Sequence, residues 1–393
     1  MLRVTEKNIR KIYAAVQFLY WLAYALLYAY ASTFLQDKGF ADSQIGLTVG
    51  LAYLLASVLQ PAFARLYNAV RLSLERCMCL ILGVIILLSV AVMFAGGHRF
   101  LLCVLVVINM GTYAALQPAV NAMVQRWEQT GGKINFGIAR SVGTLAYALM
   151  SFFFGQLLKT VSPGYLPVFY AVSMALFGAM LLAVVPPAAG SAQGPDPEET
   201  AAQAHGDTPP GSDRFMIVII GIGFLIFGHS SFDCFLLQIL QNVGGNSTNI
   251  GTAILIGAIV EIVAMIGYDA LARRFGDRKL LIFAALMWVL KLFTTYLARS
   301  PMGVYGAELF QMLSFAIYTP AIVSYVNSHF SGKENLKWHS YTGSAYTVGS
   351  VLASFCGGLI LEAAGASVML LAATAATGTG ALIFVLYFKR TNA

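Results

Sequence analysis

The chain has 393 residues, of which 59% are hydrophobic and only 10% charged, with a formal net charge of +7. An ordinary soluble domain carries about 25% charged residues, and the mean hydropathy here is +0.75. These values exclude a soluble globular protein, a disordered chain and a disulfide scaffold. The basic residues sit in short loops between apolar runs, so the positive charge does not mark a nucleic-acid binder. The five cysteines (Cys77, Cys79, Cys103, Cys234 and Cys356) fall within or beside those runs. Cys77 and Cys79 form C-x-C, too little for a metal site, and all five read as small packing residues.

Apolar runs near 20 residues recur, each about the length a bilayer core requires. The first, Ile12 to Leu35, has 24 residues, or about 36 Å of helix. That spans a membrane, whereas the 7–15-residue core of a signal peptide does not. The run therefore reads as a retained first helix. In chain order the spans fall at about 12–35, 45–68, 75–95, 100–124, 137–159 and 165–186, then 215–240, 249–272, 279–298, 302–327, 339–362 and 367–388. Between the sixth and seventh, residues 187–214 are rich in Pro, Gly, Ala and acid, with almost no large apolar side chain. Such a segment cannot bury enough surface to fold. The expected organisation is a six-helix bundle over 1–186, a disordered cytoplasmic linker over 187–214, and a second six-helix bundle over 215–393.

Basic residues set the orientation. Eighteen of the 24 Lys and Arg fall on the side of the N-terminus and the linker. Lys38, Arg99, Lys159 and Arg299 fall on the other, and Arg140 and Lys291 lie within spans. Both termini are expected in the cytoplasm. The halves also read as copies. Gly137-Ile-Ala-Arg-Ser-Val-Gly-Thr144 in span five precedes Gly343-Ser-Ala-Tyr-Thr-Val-Gly-Ser350 in span eleven, and Pro118 and Pro320 occupy similar places in spans four and ten. Two repeated bundles are an architecture of alternating-access transporters, and small residues let their helices approach closely.

Polar groups inside the bilayer need a reason, because a central Asp, Lys or Arg costs about 2.5–3.5 kcal/mol on insertion scales. Arg140, Asp233, Glu261, Lys291 and Glu308 lie within spans, and His229 stands one turn before Asp233 on the same face. A carboxylate that can be charged or neutral at modest cost is what proton coupling requires. His229, Asp233, Glu261, Lys291 and Glu308 are therefore the candidate coupling residues. Interhelical pairing, for example Glu261 with Lys291 in adjacent spans, is the competing role. Glu308 stands near the outer end of its span.

The first half carries two polar stripes at four-residue spacing: Asn109, Tyr113, Gln117 and Asn121 in span four, and Tyr20, Tyr24 and Tyr28 in span one, with Gln17 and Trp21 nearby. That spacing keeps neighbours on one side of a helix. Amides and phenols are neutral donors and acceptors, suited to a hydroxylated, uncharged solute; helix packing and interhelical hydrogen bonding are the alternatives. Arg140 and Tyr147, seven residues apart, also share a face. No P-loop, GxSxG, HExxH or dinucleotide signature occurs in a credible context. The chain reads as neither an enzyme nor an ATP-driven pump, and no cofactor or metal is expected.

These segments resemble the major facilitator superfamily, and within it the lactose-permease-like oligosaccharide–proton symporters and their nucleoside-transporting relatives. The resemblance covers nearly all of the chain. Phe34-Leu-Gln-Asp-Lys-Gly-Phe40, Gln44-Ile-Gly-Leu-Thr-Val-Gly50 and Leu59-Gln-Pro-Ala-Phe63 are similar to that group's first loop and second helix. Phe136 to Gly143 resembles its fifth-helix motif, which implies that Arg140 contacts sugar and that Tyr147 stacks on it. Phe232-Asp233 matches a seventh-helix acid, and Glu261 is similar to an eighth-helix carboxylate. Gly267 to Lys279 resembles the cytoplasmic gating loop, which implies gating roles for Asp269, Arg273, Arg274, Asp277 and Arg278. There are departures. The fourth-helix glutamate of lactose permease is replaced by Asn121-Ala122, and the His and Glu of its tenth helix by Gln311 and Ser314. The Asp of the loop after span two is replaced by Asn68. Galactoside specificity is therefore not implied, and Gln311 joins the substrate-binding group.

The resulting expectation is an all-α polytopic membrane protein of twelve transmembrane helices in two pseudo-symmetric bundles. It would be a secondary transporter that imports a sugar-like or nucleoside-like solute with protons by alternating access. The solute would be bound by Tyr20, Tyr24, Tyr28, Asn109, Tyr113, Gln117, Asn121, Arg140, Tyr147 and Gln311 in a cavity lined by spans one, four, five, seven, eight, ten and eleven. Its partners would be the solute, protons and the lipid bilayer, and it would work as a monomer in a bacterial cytoplasmic membrane. An efflux antiporter for amphipathic compounds is the alternative. A non-transporting receptor or a membrane-embedded enzyme lacks support, since no nucleophile or metal cluster stands near the midplane.

Overall fold

The computed structural model of the protein describes residues 2–70, 72–95, 97–128, 132–134, 136–185 and 212–390. All but the last three residues of the expected 187–214 linker lie outside the described residues, and those three enter a 3-10 turn, Ser212–Phe215. Eleven helical runs among the described residues are long and apolar enough to cross a membrane. The eleventh, Lys337–Lys389, has 53 residues, more than twice the ~20 a bilayer needs. It is interrupted at Gly365, with φ 83° and ψ 170°. The two spans expected at 339–362 and 367–388 lie on either side of that glycine, which makes twelve. The other departure from helix is a parallel pairing of two residues each, β1 (Leu2–Arg3) with β2 (Val184–Val185), which hydropathy did not anticipate.

By contacts the chain divides into two units. One comprises Met1–Gly190 with Asn246–Leu255, and the other Ser191–Gly245 with Ile256–Ala393. In the first unit, span one is α1 (Ile9–Ala29) followed by α2 (Ala31–Asp37), and span two is α3 (Asp42–Ala69). Span three is α4 (Leu74–Phe94), and span four is α5 (Arg99–Ala115) followed by α6 (Gln117–Glu128). Spans five and six are α7 (Phe136–Leu157) and α8 (Leu166–Ala183). Here α1 packs on α7 and α8, α3 on α5, and α4 on α8. The break at Leu116 falls two residues before Pro118, whose ring clashes with the preceding turn and which has no N–H to donate.

In the second unit, span seven is α9 (Met216–Cys234) followed by α10 (Leu236–Asn242). Span eight is α11 (Ser247–Phe275), of which the part from Ile256 on belongs to this unit, and span nine is α12 (Asp277–Leu297). Span ten is α13 (Pro301–Glu308), a 3-10 turn (Leu309–Met312) and α14 (Phe315–His329). Spans eleven and twelve form α15 (Gly332–Arg390), broken at Gly365. A core of Phe215, Trp288, Trp338, Tyr325, Phe384 and Phe388 holds the ends of these helices together.

The repeat written in the sequence has a structural counterpart. Span one breaks at Tyr30 (φ −112°, ψ 9°) and span seven at Phe235 (φ −113°, ψ 24°). A seven-residue helix follows each break, and a left-handed glycine comes two residues after each, Gly39 (φ 75°) and Gly244 (φ 80°). The two repeat glycines serve the same purpose in each copy. A Cβ on Gly143 would strike the Trp21 indole of α1, and one on Gly349 would lie 2.8 Å from the Gly223 carbonyl of α9. Both permit the fifth helix of a half to lie against its first.

The helices also carry broad apolar faces outward. On α4, Leu80, Val84, Leu87 and Phe94 form one exposed stripe, with Phe94 83% exposed. Such a stripe would be costly in water at about 25 cal/mol per Å². Against acyl chains it carries no such penalty.

Candidate functional site

In the first unit, the polar residues gather around Trp21. Its ring lies under the Arg140 guanidinium, 3.8 Å from the centroid, a cation–π arrangement. Its indole N–H donates to Gln17 Oε1 at 3.0 Å. Gln17, fully buried, donates in turn to the Tyr13 hydroxyl at 2.7 Å and toward Asn121 Oδ1 at 3.4 Å. Arg140 also donates to Thr144 Oγ1 at 3.0 Å, one turn along its own helix. Tyr24 and Tyr28 stack at 4.2 Å with planes 7° apart. Tyr147 sits 6.4 Å from both Trp21 and Tyr24. The half-buried members of this group are Tyr24, Tyr28, Asn121, Arg140 and Tyr147, and Gln117 is half-buried at the start of α6. Together they offer aromatic faces, amides and one fixed cation.

Three expected members of the group from the first unit take other places. Tyr20 and Tyr113 are fully buried and stacked at 5.0 Å. Tyr113 donates to the Tyr20 carbonyl at 2.8 Å and Tyr20 to the Tyr113 carbonyl at 3.5 Å, so they lock α1 to α5. Asn109 is also fully buried; it accepts from Ser89 of α4 at 2.9 Å and donates to the Leu105 carbonyl at 3.0 Å. The reason is helical drift. Four residues advance about 40° beyond a full turn, and span four also breaks at Leu116. A stripe from Asn109 to Asn121 therefore cannot keep to one side. Trp21 and Gln17 are the residues that the four-residue pattern left out, because they stand off the tyrosine register.

The second unit holds the ionisable cluster. Lys291 is 2% exposed and Glu308 4% exposed. The Lys291 ammonium donates to Glu308 Oε2 at 3.0 Å and to Gln311 Oε1 at 2.8 Å, and it lies 4.4 Å from the Phe232 ring centroid. Gln311 Nε2 then donates to Glu261 Oε2 at 3.3 Å. Lys291 thus pairs with Glu308 directly and is linked to Glu261 through Gln311. Glu308 is interior rather than at the outer end of its span, and Gln311 belongs to this cluster rather than to the aromatic group. A buried ion pair of this kind is tolerated where further hydrogen bonds satisfy it.

His229 and Asp233 form a second pair on α9, with Nε2 and Oδ2 3.4 Å apart; both lie within electrostatic reach of Lys291, and Asp233 also of Glu308. The imidazole is buried, stacked 4.7 Å from Phe315 and edge-on 5.2 Å from Trp288, and its Nδ1 has no hydrogen-bond partner. The Asp233 side chain is 55% exposed.

The five gating-loop residues divide as well. Asp269, Arg273 and Arg274 are exposed, whereas Asp277 and Arg278 join helix ends. Asp277 accepts from Tyr268 of α11 and from Ser324 of α14, each at 2.6 Å. Arg278 meets His329 Nε2 at 3.0 Å. In the first unit Glu75, 1% exposed, does the corresponding work. It accepts from the Trp127 indole at 3.0 Å and pairs with Arg126 at 3.9 Å, tying α4 to α6 without the usual loop aspartate.

Comparison with known proteins agrees with this architecture. The maltose permease of Geobacillus stearothermophilus is 25% identical over 389 residues, covering 97% of this chain and 95% of the relative. The quinolone resistance protein NorB of Staphylococcus aureus (strain MRSA252) is 28% identical over 159 residues, only 39% of this chain and 34% of NorB. Among solved structures, the nucleoside transporter NupG superposes with a TM-score of 0.74 at 15% identity, covering 97% of this chain and 99% of that one. A D-xylose–proton symporter superposes with a TM-score of 0.71 at 11% identity, covering 97% and 96%. Residues 11–373 match the family described as MFS_1 like, and the protein is thus an integral membrane transporter belonging to that family of the major facilitator type.

Proposed function

We propose that the protein imports a sugar-like or nucleoside-like polar solute together with protons, by alternating access, as a monomer in a bacterial cytoplasmic membrane with both termini inside. The observation that carries this reading is chemical segregation. The group around Trp21 in the first unit presents aromatic faces, amides and the Arg140 guanidinium, while that unit's buried carboxylate, Glu75, is engaged apart from it with Trp127 and Arg126. The second gathers Lys291, Glu308, Gln311 and Glu261 on one chain of hydrogen bonds. Neutral donors beside aromatic faces suit a hydroxylated ring. Buried carboxylates suit proton exchange. The relatives lend support: a maltose permease aligned over almost the whole chain, and, among the structural neighbours, a nucleoside transporter and a D-xylose–proton symporter.

In this reading Arg140, Tyr147, Tyr24, Tyr28, Gln117 and Asn121 orient the solute. His229, Asp233 and Glu261 exchange protons. Asp277 and Arg278 tie together the cytoplasmic ends of their helices. Efflux of amphipathic compounds is the second reading, favoured by the partial match to NorB. A thermal-shift screen of sugars and nucleosides on purified protein, followed by proton-flux measurement in proteoliposomes with the best binder, tests the first reading. Solute-driven alkalinisation of the medium outside right-side-out vesicles is expected. Stabilisation only by amphipathic cations, with drug resistance in cells, would replace it with the second.

A further inference from the structure

Gln17 is fully buried on α1, and its neighbours dictate the direction of each of its hydrogen bonds. The Trp21 indole has only an N–H to give, so Gln17 Oε1 faces it at 3.0 Å. The Val120 carbonyl can only accept, so Tyr13 spends its hydroxyl proton there, at 3.2 Å. The Tyr13 oxygen then accepts from Gln17 Nε2 at 2.7 Å. What Gln17 has left for Asn121 is its second N–H, with Nε2 3.4 Å from Asn121 Oδ1. Turning the Gln17 amide would set its N–H groups against the indole N–H. Turning the Asn121 amide would set its N–H groups against those of Gln17. Both arrangements oppose donor to donor, so each orientation follows from chemistry.

The consequence reaches the half-buried Asn121. Its carbonyl oxygen is held toward Gln17, and it makes no other hydrogen bond among the described residues. To the rest of the group around Trp21 this amide therefore presents its N–H groups and not its oxygen. The Arg140 guanidinium, 3.8 Å from the Trp21 ring centroid, likewise has no acceptor. Two donor-only groups, one of them cationic, are joined through Gln17 and Trp21. Their complement is a group that only accepts. A ring carbonyl and a carboxylate qualify. A hydroxyl must place its own proton elsewhere, and an ammonium brings more donors and a like charge.

We infer that Gln17 is a positioning residue that fixes the hydrogen-bond polarity of the solute site, and that the site selects a ring solute carrying a carbonyl or carboxylate over one carrying hydroxyls alone, with amines bound worst. This rests on the import reading above and narrows its solute class. Gln17 does not touch the solute; it acts by holding the Asn121 amide one way round. The same polarity disfavours the amphipathic cations of the efflux reading.

Binding of uridine, glucuronate, glucose and glucosamine to the full chain in lipid nanodiscs, measured by calorimetry, tests the selection. Uridine or glucuronate should bind about tenfold more tightly than glucose, and glucosamine most weakly. A preference for uridine alone assigns the acceptor to a ring carbonyl, and for glucuronate alone to a carboxylate. Gln17→Met frees the Asn121 amide and should shrink the preference over glucose about threefold, whereas a merely structural role would lower all four affinities by one factor. Should Gln17→Met not fold, Asn121→Leu, at a half-buried position, should shrink the preference in the same way. Glucose or glucosamine binding as tightly as both acceptor solutes would overturn the inference, and so would an equal loss of all four in both variants. A second measurement needs no solute. With isotope-labelled asparagine, the Asn121 side-chain N–H protons, identified by their loss in Asn121→Leu, should exchange freely with water. In Gln17→Glu a carboxylate oxygen accepts from them, the amide turns, and exchange should slow about tenfold. Slow exchange in the parent would overturn the polarity. A wider solute screen without hits would sink the import reading, and the exchange rates would still decide which way the amide faces.

Discussion

Replacing Gly143 with alanine tests whether the Trp21 platform is built as described. The added Cβ would collide with indole Cδ1 and stand 3.0 Å from Cγ and Nε1. The ring has little room to retreat. It is held by its hydrogen bond to Gln17 at 3.0 Å, by Tyr20 at 5.4 Å and Tyr24 at 4.9 Å, and by the guanidinium above it. Overpacking a tight site costs about 1–3 kcal/mol. If the ring shifts instead, it forfeits a hydrogen bond of about 1 kcal/mol and a cation–π contact of about 0.5–2 kcal/mol. Gly143→Ala should therefore destabilise the protein by roughly 1–3 kcal/mol. Reversible unfolding in mixed micelles, followed by tryptophan fluorescence, measures it. Adding Trp21→Leu should recover much of the stability, because the clash is relieved, but no solute binding, because the platform is gone. A Gly143→Ala protein within about 0.5 kcal/mol of the parent, or a double variant no better than the single, would refute the packing argument.

Three more outcomes follow from the geometry. Lys291→Met strands Glu308 and the Gln311 carbonyl oxygen and should cost about 3–5 kcal/mol, whereas Lys291→Met with Glu308→Met should cost far less, since removing a buried pair together is often near neutral; equal costs in the same unfolding assay would refute the pairing. Arg140→Ala should abolish solute accumulation in proteoliposomes while membrane insertion, judged by detergent extraction and monodisperse elution, is unchanged; normal uptake would remove its role. Tyr20→Phe should lower stability by about 1 kcal/mol or less, given its long 3.5 Å bond, and leave solute affinity intact; a large loss of affinity in a binding titration would return Tyr20 to the solute site.

The spans could be read from sequence because their cause is uniform: about 20 apolar residues satisfy a bilayer whatever surrounds them. Even the divide between spans eleven and twelve, at Gly365, is visible as a gap in the apolar run. The breaks at Tyr30 and Phe235 could not be read, because hydropathy carries no information about φ and ψ and both residues are themselves apolar. The site was half legible. Within-span charges were found because they are expensive, but their partners were not. Lys291 reaches Glu308 in the next span and Gln311 beyond it, a choice made by helix rotation. The same rotation turned Asn109, Tyr20 and Tyr113 inward from stripes that looked continuous on paper.

The short helices Ala31–Asp37 and Leu236–Asn242 have one further consequence. Each is about 10 Å long and is separated from its parent by a joint, so it can swivel without tilting the long rod beneath. The joints are fastened unequally. The Tyr30 hydroxyl is bonded to the Ser151 carbonyl, whereas the Phe235 ring, which has no hydroxyl, lies against Gly357, where a Cβ would come within 2.9 Å of it. The second short helix carries its polar anchor at the far end instead, where Asn242 Nδ2 donates to Ser367 Oγ at 3.5 Å, so one cap is pinned at its hinge and the other at its tip.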